Sequence, residues 1–93
     1  PREIEEHLYQ CEGVKEASVI GTTDARTGEQ PVAFVVMEEG YAAESLALTT
    51  YLKPRLAAYK IPRQFHFVDQ LPRTATGKVK KTLLREQLAS VSE

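Results

Sequence analysis

Leu71-Pro72-Arg73-Thr74-Ala75-Thr76-Gly77-Lys78-Val79-Lys80-Lys81 is the stretch on which the reading of this 93-residue chain turns. A proline and four residues lead to Gly77-Lys78, and more basic residues and an apolar, helix-like tail follow. One reading is a phosphate loop of the form G-x-x-x-x-G-K-[ST], set between a strand and a helix. Pro72 stands where that loop needs its first glycine, and Val79 where it needs the hydroxyl that holds magnesium. The backbone cradle for phosphate oxygens is missing, so this reading is rejected. The second reading is a flexible loop of small and hydroxylated residues. Gly77 would let the backbone approach a ligand closely. Lys78 would be a mobile point charge able to reach a phosphate or a carboxylate. A solvated basic loop without a task fits the same residues, so the choice falls to the flanking chain.

Immediately before the stretch, Gln64 to Asp69 alternates as a strand, with Phe65 and Phe67 on one face and His66 and Val68 on the other. Immediately after it, Lys81 to Ala89 reads as a helix with Leu84 and Leu88 at i, i+4 and Leu83 beside them. Further upstream, Tyr59 to Arg63 is a connector. Glu44 to Lys53 reads as a helix carrying Leu48 and Leu52, and Pro54 predicts a kink or a short second helical segment, Pro54 to Ala58. Glu38 to Ala43 is a loop. Val32 to Met37 is a continuous apolar run, as expected of a buried central strand, and Val14 to Thr22 is its hairpin partner, with Ala17 and Val19 facing one side and Ser18 and Ile20 the other. Thr23 to Gln30 reads as a turn-rich connection in which Asp24 and Gly28 serve the turn. At the N-terminus, Ile4, His7, Leu8 and Cys11 fall on one helix face, Glu3, Glu5 and Glu6 suit the positive end of the helix dipole, and Gly13 stops the helix. Pro1 suits a first helical turn. With nothing before it to frame that helix, the chain is expected to be cut from a longer one. The order α-β-β-α-β-loop-α predicts a small α+β domain, a three-stranded sheet with helices packed on it. That architecture alone serves many functions.

A chain of this length makes one domain and buries a modest core, with little room for a deep substrate cavity. No run approaches the ~18 apolar residues of a membrane span, and no signal-peptide pattern is present. Cys11, the single cysteine, excludes an internal disulfide and fits a reducing cytoplasm; it reads as a small core residue. His7 and His66 stand far apart with no metal-spaced ligands, so no metal site is expected. Charge is balanced in total but not in distribution. Residues 1–52 carry three Lys/Arg against ten Asp/Glu, and residues 53–93 carry nine against three, nets of −7 and +6. The basic half points to an anionic ligand or partner. Nucleic acid is not expected, because aromatics are not interleaved with the basic residues and no nucleic-acid motif is present.

The stretch as P-x-x-x-x-G-K resembles the last core motif of the adenylate-forming enzymes: acyl- and aryl-CoA synthetases, firefly-type luciferases and peptide-synthetase adenylation domains. The resemblance extends along the whole chain. Pro1-Arg2-Glu3-Ile4-Glu5 resembles the helix start after the family's hinge. Val14-x-Glu16-Ala17-x-Val19-x-Gly21 resembles its first strand, and Asp24-x-x-x-Gly28-Glu29 followed by Ala33-Phe34-Val35-Val36 its hairpin. Leu56-Ala57-x-Tyr59-Lys60-Ile61-Pro62-Arg63 and Phe67-Val68-Asp69-x-Leu71-Pro72 through Lys78 resemble its last two core motifs. Five matches in order are far more specific than one. The version Pro-Arg-Thr-Ala-Thr-Gly-Lys is similar to CoA ligases rather than to peptide-synthetase domains, which usually carry Asn before Gly-Lys.

The resemblance implies the mobile C-terminal domain of an ATP-dependent, AMP-forming acid–CoA ligase. In such an enzyme a small carboxylic acid attacks the α-phosphate of ATP, pyrophosphate leaves, and CoA then displaces AMP from the acyl-adenylate. Lys78 matches the catalytic lysine of the first step, with Gly77 and Thr76 in the adenylate loop. Lys53, at the end of the second helix, matches a basic position near CoA, and Lys60 and Arg63 are weaker CoA candidates that also fit plain surface charges. ATP and CoA would be co-substrates. Magnesium, the acyl pocket and the phosphate loop would lie in a large N-terminal domain, the partner of this one, and this chain alone would not ligate. The alternative class is a stand-alone basic α+β interaction module for an anionic partner.

Overall fold

The computed structural model describes residues 2–24 and 28–91, with the side chains of 23, 24, 28, 29 and 87–91 excepted. Helix α1 (Arg2–Gln10) leads into the hairpin β1 (Val14–Asp24) and β2 (Gly28–Met37). Helix α2 (Ser45–Leu52) follows, then a 3₁₀ turn (Ala58–Lys60), β3 (Gln64–Phe67) and α3 (Lys81–Val91). The sheet order is β1-β2-β3; β1 pairs antiparallel with β2, and β3 pairs parallel with it. This is the small α+β domain that the pattern predicts. The parallel pair requires a crossover, and the segment containing α2 provides it.

The Val32–Met37 part of β2 is apolar without alternation because both of its faces are covered. Ala33 and Val35 join Ile4 and Leu8 of α1, Ala17 and Val19 of β1, and Leu48 and Leu52 of α2. On the opposite face Val32, Phe34 and Val36 join Ile20, Leu71 and Leu84. The alternation expected in β3 is present: Phe65 and Phe67 pack toward the α1/α2 side and Val68 toward the other. His66 is half-buried and stacks on Phe34, with ring centroids 5.1 Å apart. On α1, Ile4 and Leu8 are buried while His7 and Cys11 are half-buried at the margin of the same face. Burial pushes the Cys11 thiol above its ordinary pKa.

Several expected boundaries shift. The connection Thr23 to Gln30 is largely ladder, since Thr22, Thr23 and Asp24 pair with Gln30, Glu29 and Gly28. Cross-strand pairing thus extends the hairpin past its apolar core, and Asp24 and Gly28 are a ladder pair. The expected helical segment Pro54 to Ala58 is absent. A turn replaces it, in which the amides of Arg55 and Leu56 both donate to Leu52 O at 2.9 Å. Buried Leu56 anchors that turn, and the 3₁₀ helix begins only at Ala58. β3 stops two residues early, although Val68 N still donates to Val35 O at 3.0 Å. Leu83 is 37% exposed, so Leu84 alone of that pair enters the core. Pro1 and the side chain of Leu88 lie outside the described residues.

Candidate functional site

The stretch expected to be a flexible loop is a closed hairpin. Arg73 and Val79 form an antiparallel bridge. Inside it Thr74 N–H donates to Lys78 O at 2.7 Å, and Gly77 N–H donates to Thr74 O at 2.9 Å. Gly77 has φ +91°. This is a three-residue hairpin loop closed by a left-handed residue, a position that glycine occupies without strain. Side chains add to the ring. The Thr74 hydroxyl lies 2.9 Å from that of Thr76 and accepts the Lys78 N–H at 3.2 Å. Lys80 N–H returns to Pro72 O at 2.7 Å, and Lys80 O accepts from Leu83 and Leu84 as α3 begins. Leu71 before the hairpin and Leu84 after it are buried in the same cluster, so both legs are fixed to the sheet.

Lys78 follows the glycine at the exposed end of this hairpin, and its ammonium has no hydrogen-bond or ion-pair partner among the described residues. A second cation does the opposite. Arg73 donates through Nη1 to Gly77 O at 2.7 Å and through Nη2 to the carboxylate of Glu16. That carboxylate holds the Arg73 guanidinium above its ordinary pKa.

Glu16 reaches the hairpin by the plain alternation of β1, pairing with Val36 in the same register as Ala17 with Val35 and Ser18 with Phe34. Val14 pairs with Met37 and Glu16 with Val36, so β1 carries one extra residue there. Val14 therefore crosses to the α1/α2 face of Ala17 and Val19, whereas Glu16 keeps the face that alternation gives it, with Ser18 and Ile20. Neither Glu16 nor Arg73 was singled out from sequence as part of the site. One signal was available: strand alternation puts Glu16 on the face of Ser18 and Ile20, opposite Ala17 and Val19.

The remaining candidates are dispersed. Lys53 caps the C-terminus of α2 through its N–H, which donates to Thr49 O at 3.0 Å; the residue is exposed and its ammonium has no partner among the described residues. It ends the helix that covers one face of the sheet, whereas Lys78 belongs to the hairpin that covers the other. Lys60 is engaged: its Nζ donates to Glu3 Oε1 at 2.6 Å, and each partner moves the other's pKa, Glu3 downward and Lys60 upward. Arg63 is exposed, and among the described residues only its backbone is bonded, to Pro31 O at 3.0 Å.

The basic half of the sequence is thus partly answered within the molecule. Lys60, Arg73 and Lys81 pair with Glu3, Glu16 and Glu5, the last at 3.0 Å. Glu5 also accepts Val19 N–H at 2.7 Å, which ties α1 to the outer edge of β1. A cleft of about 220 Å³ lined by Val36, Met37, Ala43, Phe67, Val68 and Asp69 lies elsewhere. It is smaller than the ~300–1,000 Å³ usual for ligand pockets. Among the described residues no helix is long and apolar enough to cross a membrane, and no cluster of three His, Cys, Asp or Glu is placed to hold a metal.

With this geometry in hand, comparison with known proteins is specific. The family model for the AMP-binding enzyme C-terminal domain matches residues 3–78. The chain is 45% identical over 87 residues to a 2-succinylbenzoate–CoA ligase of Listeria monocytogenes, covering 94% of this chain and 18% of that protein. It is 41% identical over 87 residues to a long-chain-fatty-acid–CoA ligase of Bacillus subtilis, covering 94% and 16%. The crystal structure of apo MatB from Rhodopseudomonas palustris superposes with a TM-score of 0.92 at 38% identity, over 100% of this chain and 19% of that one. The chain therefore spans less than a fifth of the length of these relatives.

Proposed function

Since the chain belongs to the family of AMP-binding enzyme C-terminal domains, we propose that it is the mobile C-terminal domain of an AMP-forming acid–CoA ligase working in the reducing cytoplasm. A larger N-terminal domain would hold ATP, magnesium and the acyl pocket. The observation that carries this reading is Lys78: an ammonium without a partner among the described residues, presented on a hairpin whose backbone is otherwise bonded and anchored. Adenylation brings a carboxylate up to an α-phosphate as negative charge builds on the phosphoryl oxygens. A cation placed between them lowers that barrier. Lys78 would fill this role, with Thr76 and Gly77 forming the loop that presents it.

The second step needs that charge withdrawn and CoA admitted. Lys53 sits on the helix covering the opposite face, which suits a domain that turns to present different sides to the two steps. Of the weaker CoA candidates, Lys60 is occupied by Glu3 and Arg63 is a surface charge. The acid is not encoded here. Relatives named for 2-succinylbenzoate and for long-chain fatty acids resemble this chain almost equally.

The test is acid-dependent exchange of pyrophosphate into ATP by the full-length protein, with a panel of carboxylic acids. One electrostatic contact of this kind is worth ~3–4 kcal/mol, or 10²–10³ in rate. Lys78→Ala is expected to lose at least that in exchange, while thioester formation from supplied acyl-adenylate is retained. Lys53→Glu is expected to raise the Michaelis constant for CoA and leave exchange intact. Absence of exchange with every acid would instead favour a basic interaction module, and acid-dependent exchange indifferent to Lys78 would take that lysine out of the adenylation step.

A further inference from the structure

We propose that Arg73, aimed by Glu16, is a positioning residue for Lys78, an inference that rests on the adenylation role proposed above. Gly77 is the weak point of the hairpin. Without a β-carbon, it lets the peptide that joins it to Lys78 rotate at little cost. The carbonyl of that peptide is the one Arg73 holds, at 2.7 Å. The other arm of the same guanidinium is held by Glu16, on a different element. The planar fork therefore links the peptide carrying Lys78 to strand β1.

Three features argue for positioning rather than general stabilisation. First, Glu16 is a carboxylate on the face where its strand neighbours Ser18 and Ile20 are buried, and its oxygen is given to Arg73. Second, both pairing arms of Arg73 are occupied by protein, so its charge is directed inward while that of Lys78, five residues on, is left unpartnered among the described residues. Third, the pair is partly exposed, at 39% and 23% of the side-chain surface. Exposed ion pairs contribute little to stability, so a role in overall folding is a poor account of it. Placement matters more: an error near 1 Å at a reacting group can cost on the order of 10²-fold in rate.

Arg73→Lys separates the two possibilities, because lysine keeps the charge and loses the fork. In the full-length ligase we expect Arg73→Lys to lower the turnover of acid-dependent pyrophosphate exchange by about 10-fold or more. Michaelis constants for ATP and acid should hold, as should thioester formation from supplied acyl-adenylate. Glu16→Gln should give a smaller loss of the same kind. The double variant should be no slower than Arg73→Lys alone, since the carboxylate acts through the guanidinium. Wild-type turnover in Arg73→Lys, with Lys78→Ala still inactive, would overturn the positioning role and leave the adenylation role standing. So would a raised Michaelis constant for ATP at unchanged turnover, which would mark Arg73 as a ligand contact. Parallel loss of both half-reactions with a lowered thermal midpoint would reduce the pair to a structural one. Exchange that survives Lys78→Ala would remove the premise itself.

Discussion

Gly13 and Gly77 hold the same backbone torsion, φ +92° and +91°, in regions built on different terms. At Gly13, between α1 and β1, an added β-carbon would lie 2.5 Å from a ring carbon of Tyr41. The chain there is bonded and covered, with Glu38 N donating to Gly13 O at 2.7 Å. At Gly77 an added β-carbon would meet nothing within 4 Å. One glycine lets two elements close on each other beneath an aromatic ring. The other lets a hairpin turn tightly while its tip stays uncovered. The α1/α2 side of the sheet is thus sealed by apolar packing. The hairpin side is set by hydrogen bonds and by two buried leucines, and it leaves a cation outside.

The largest effects should come from those apolar anchors. Leu8 on the sealed side and Leu84 on the hairpin side are both fully buried. Truncating either to alanine is expected to cost ~2–5 kcal/mol in urea unfolding of the chain. Their consequences for chemistry should differ. Leu84 anchors α3, which begins three residues after Lys78, so Leu84→Ala should also slow adenylation under conditions where the ligase stays folded. Leu8→Ala should leave that rate unchanged in the folded fraction. Equal rate losses in the two variants would break the division between a sealed side and a presenting side.

The glycines are the next probe. Gly13→Ala meets both the left-handed penalty, ~1–2 kcal/mol, and the Tyr41 ring, so a loss of more than about 2 kcal/mol in stability is expected. Gly77→Ala meets the torsional penalty alone. About 1 kcal/mol should go into distorting the hairpin, visible as roughly a fivefold fall in adenylation with little change in thermal midpoint. A Gly77→Ala protein as unstable as Gly13→Ala would show that the hairpin is part of the sealed core after all.

How legible these two sides were differed in the same way. The sealed side was read well, because apolar periodicity carries it: Ile4 and Leu8 at helical spacing, Ala17 and Val19 in alternation, Leu48 and Leu52 one turn apart. The continuous run Val32 to Met37 announced a strand covered on both faces. The hairpin side was read in its residues but not in its shape. Thr74 to Lys78 looks flexible by composition, and its order comes from amide-to-carbonyl bonds that no side-chain pattern reports. The Glu16–Arg73 pair joins residues 57 apart in sequence, a separation that no local pattern reports. Pro54 left open a kink or a short second helical segment; burial of Leu56 settles a turn there instead. The charge asymmetry was real, but part of it is an internal tie rather than an invitation to a ligand, because folding brings Glu3, Glu5 and Glu16 to Lys60, Lys81 and Arg73.

The smallest expected effect tests whether that tie belongs to the sealed side. Glu3, in the first turn of α1, pairs with Lys60 at 2.6 Å, and its carboxyl is held below its ordinary value of 4.5 mainly by that hydrogen bond and charge. A carboxylate whose pKa is lower in the folded state contributes stability that is present above the unfolded value and is lost as pH falls through the folded one. The partner works from the other end. Lys60 is raised above 10.5, so its share is present below that value and fades as pH rises through the raised pKa. Between these limits the pair contributes a constant amount, small because both groups are exposed and screened. Lys60→Met should therefore lower the urea midpoint slightly at neutral pH and low salt, and the difference from wild type should close below pH 4.5 as Glu3 takes up its proton. Added salt at neutral pH should close it as well. Adenylation should not respond to this substitution, since Lys60 fastens α1 and the Lys78 hairpin is held by Glu16 and Leu84 instead. A midpoint difference that persists in acid would mean that the alkyl stem of Lys60, and not its charge, packs the sealed side.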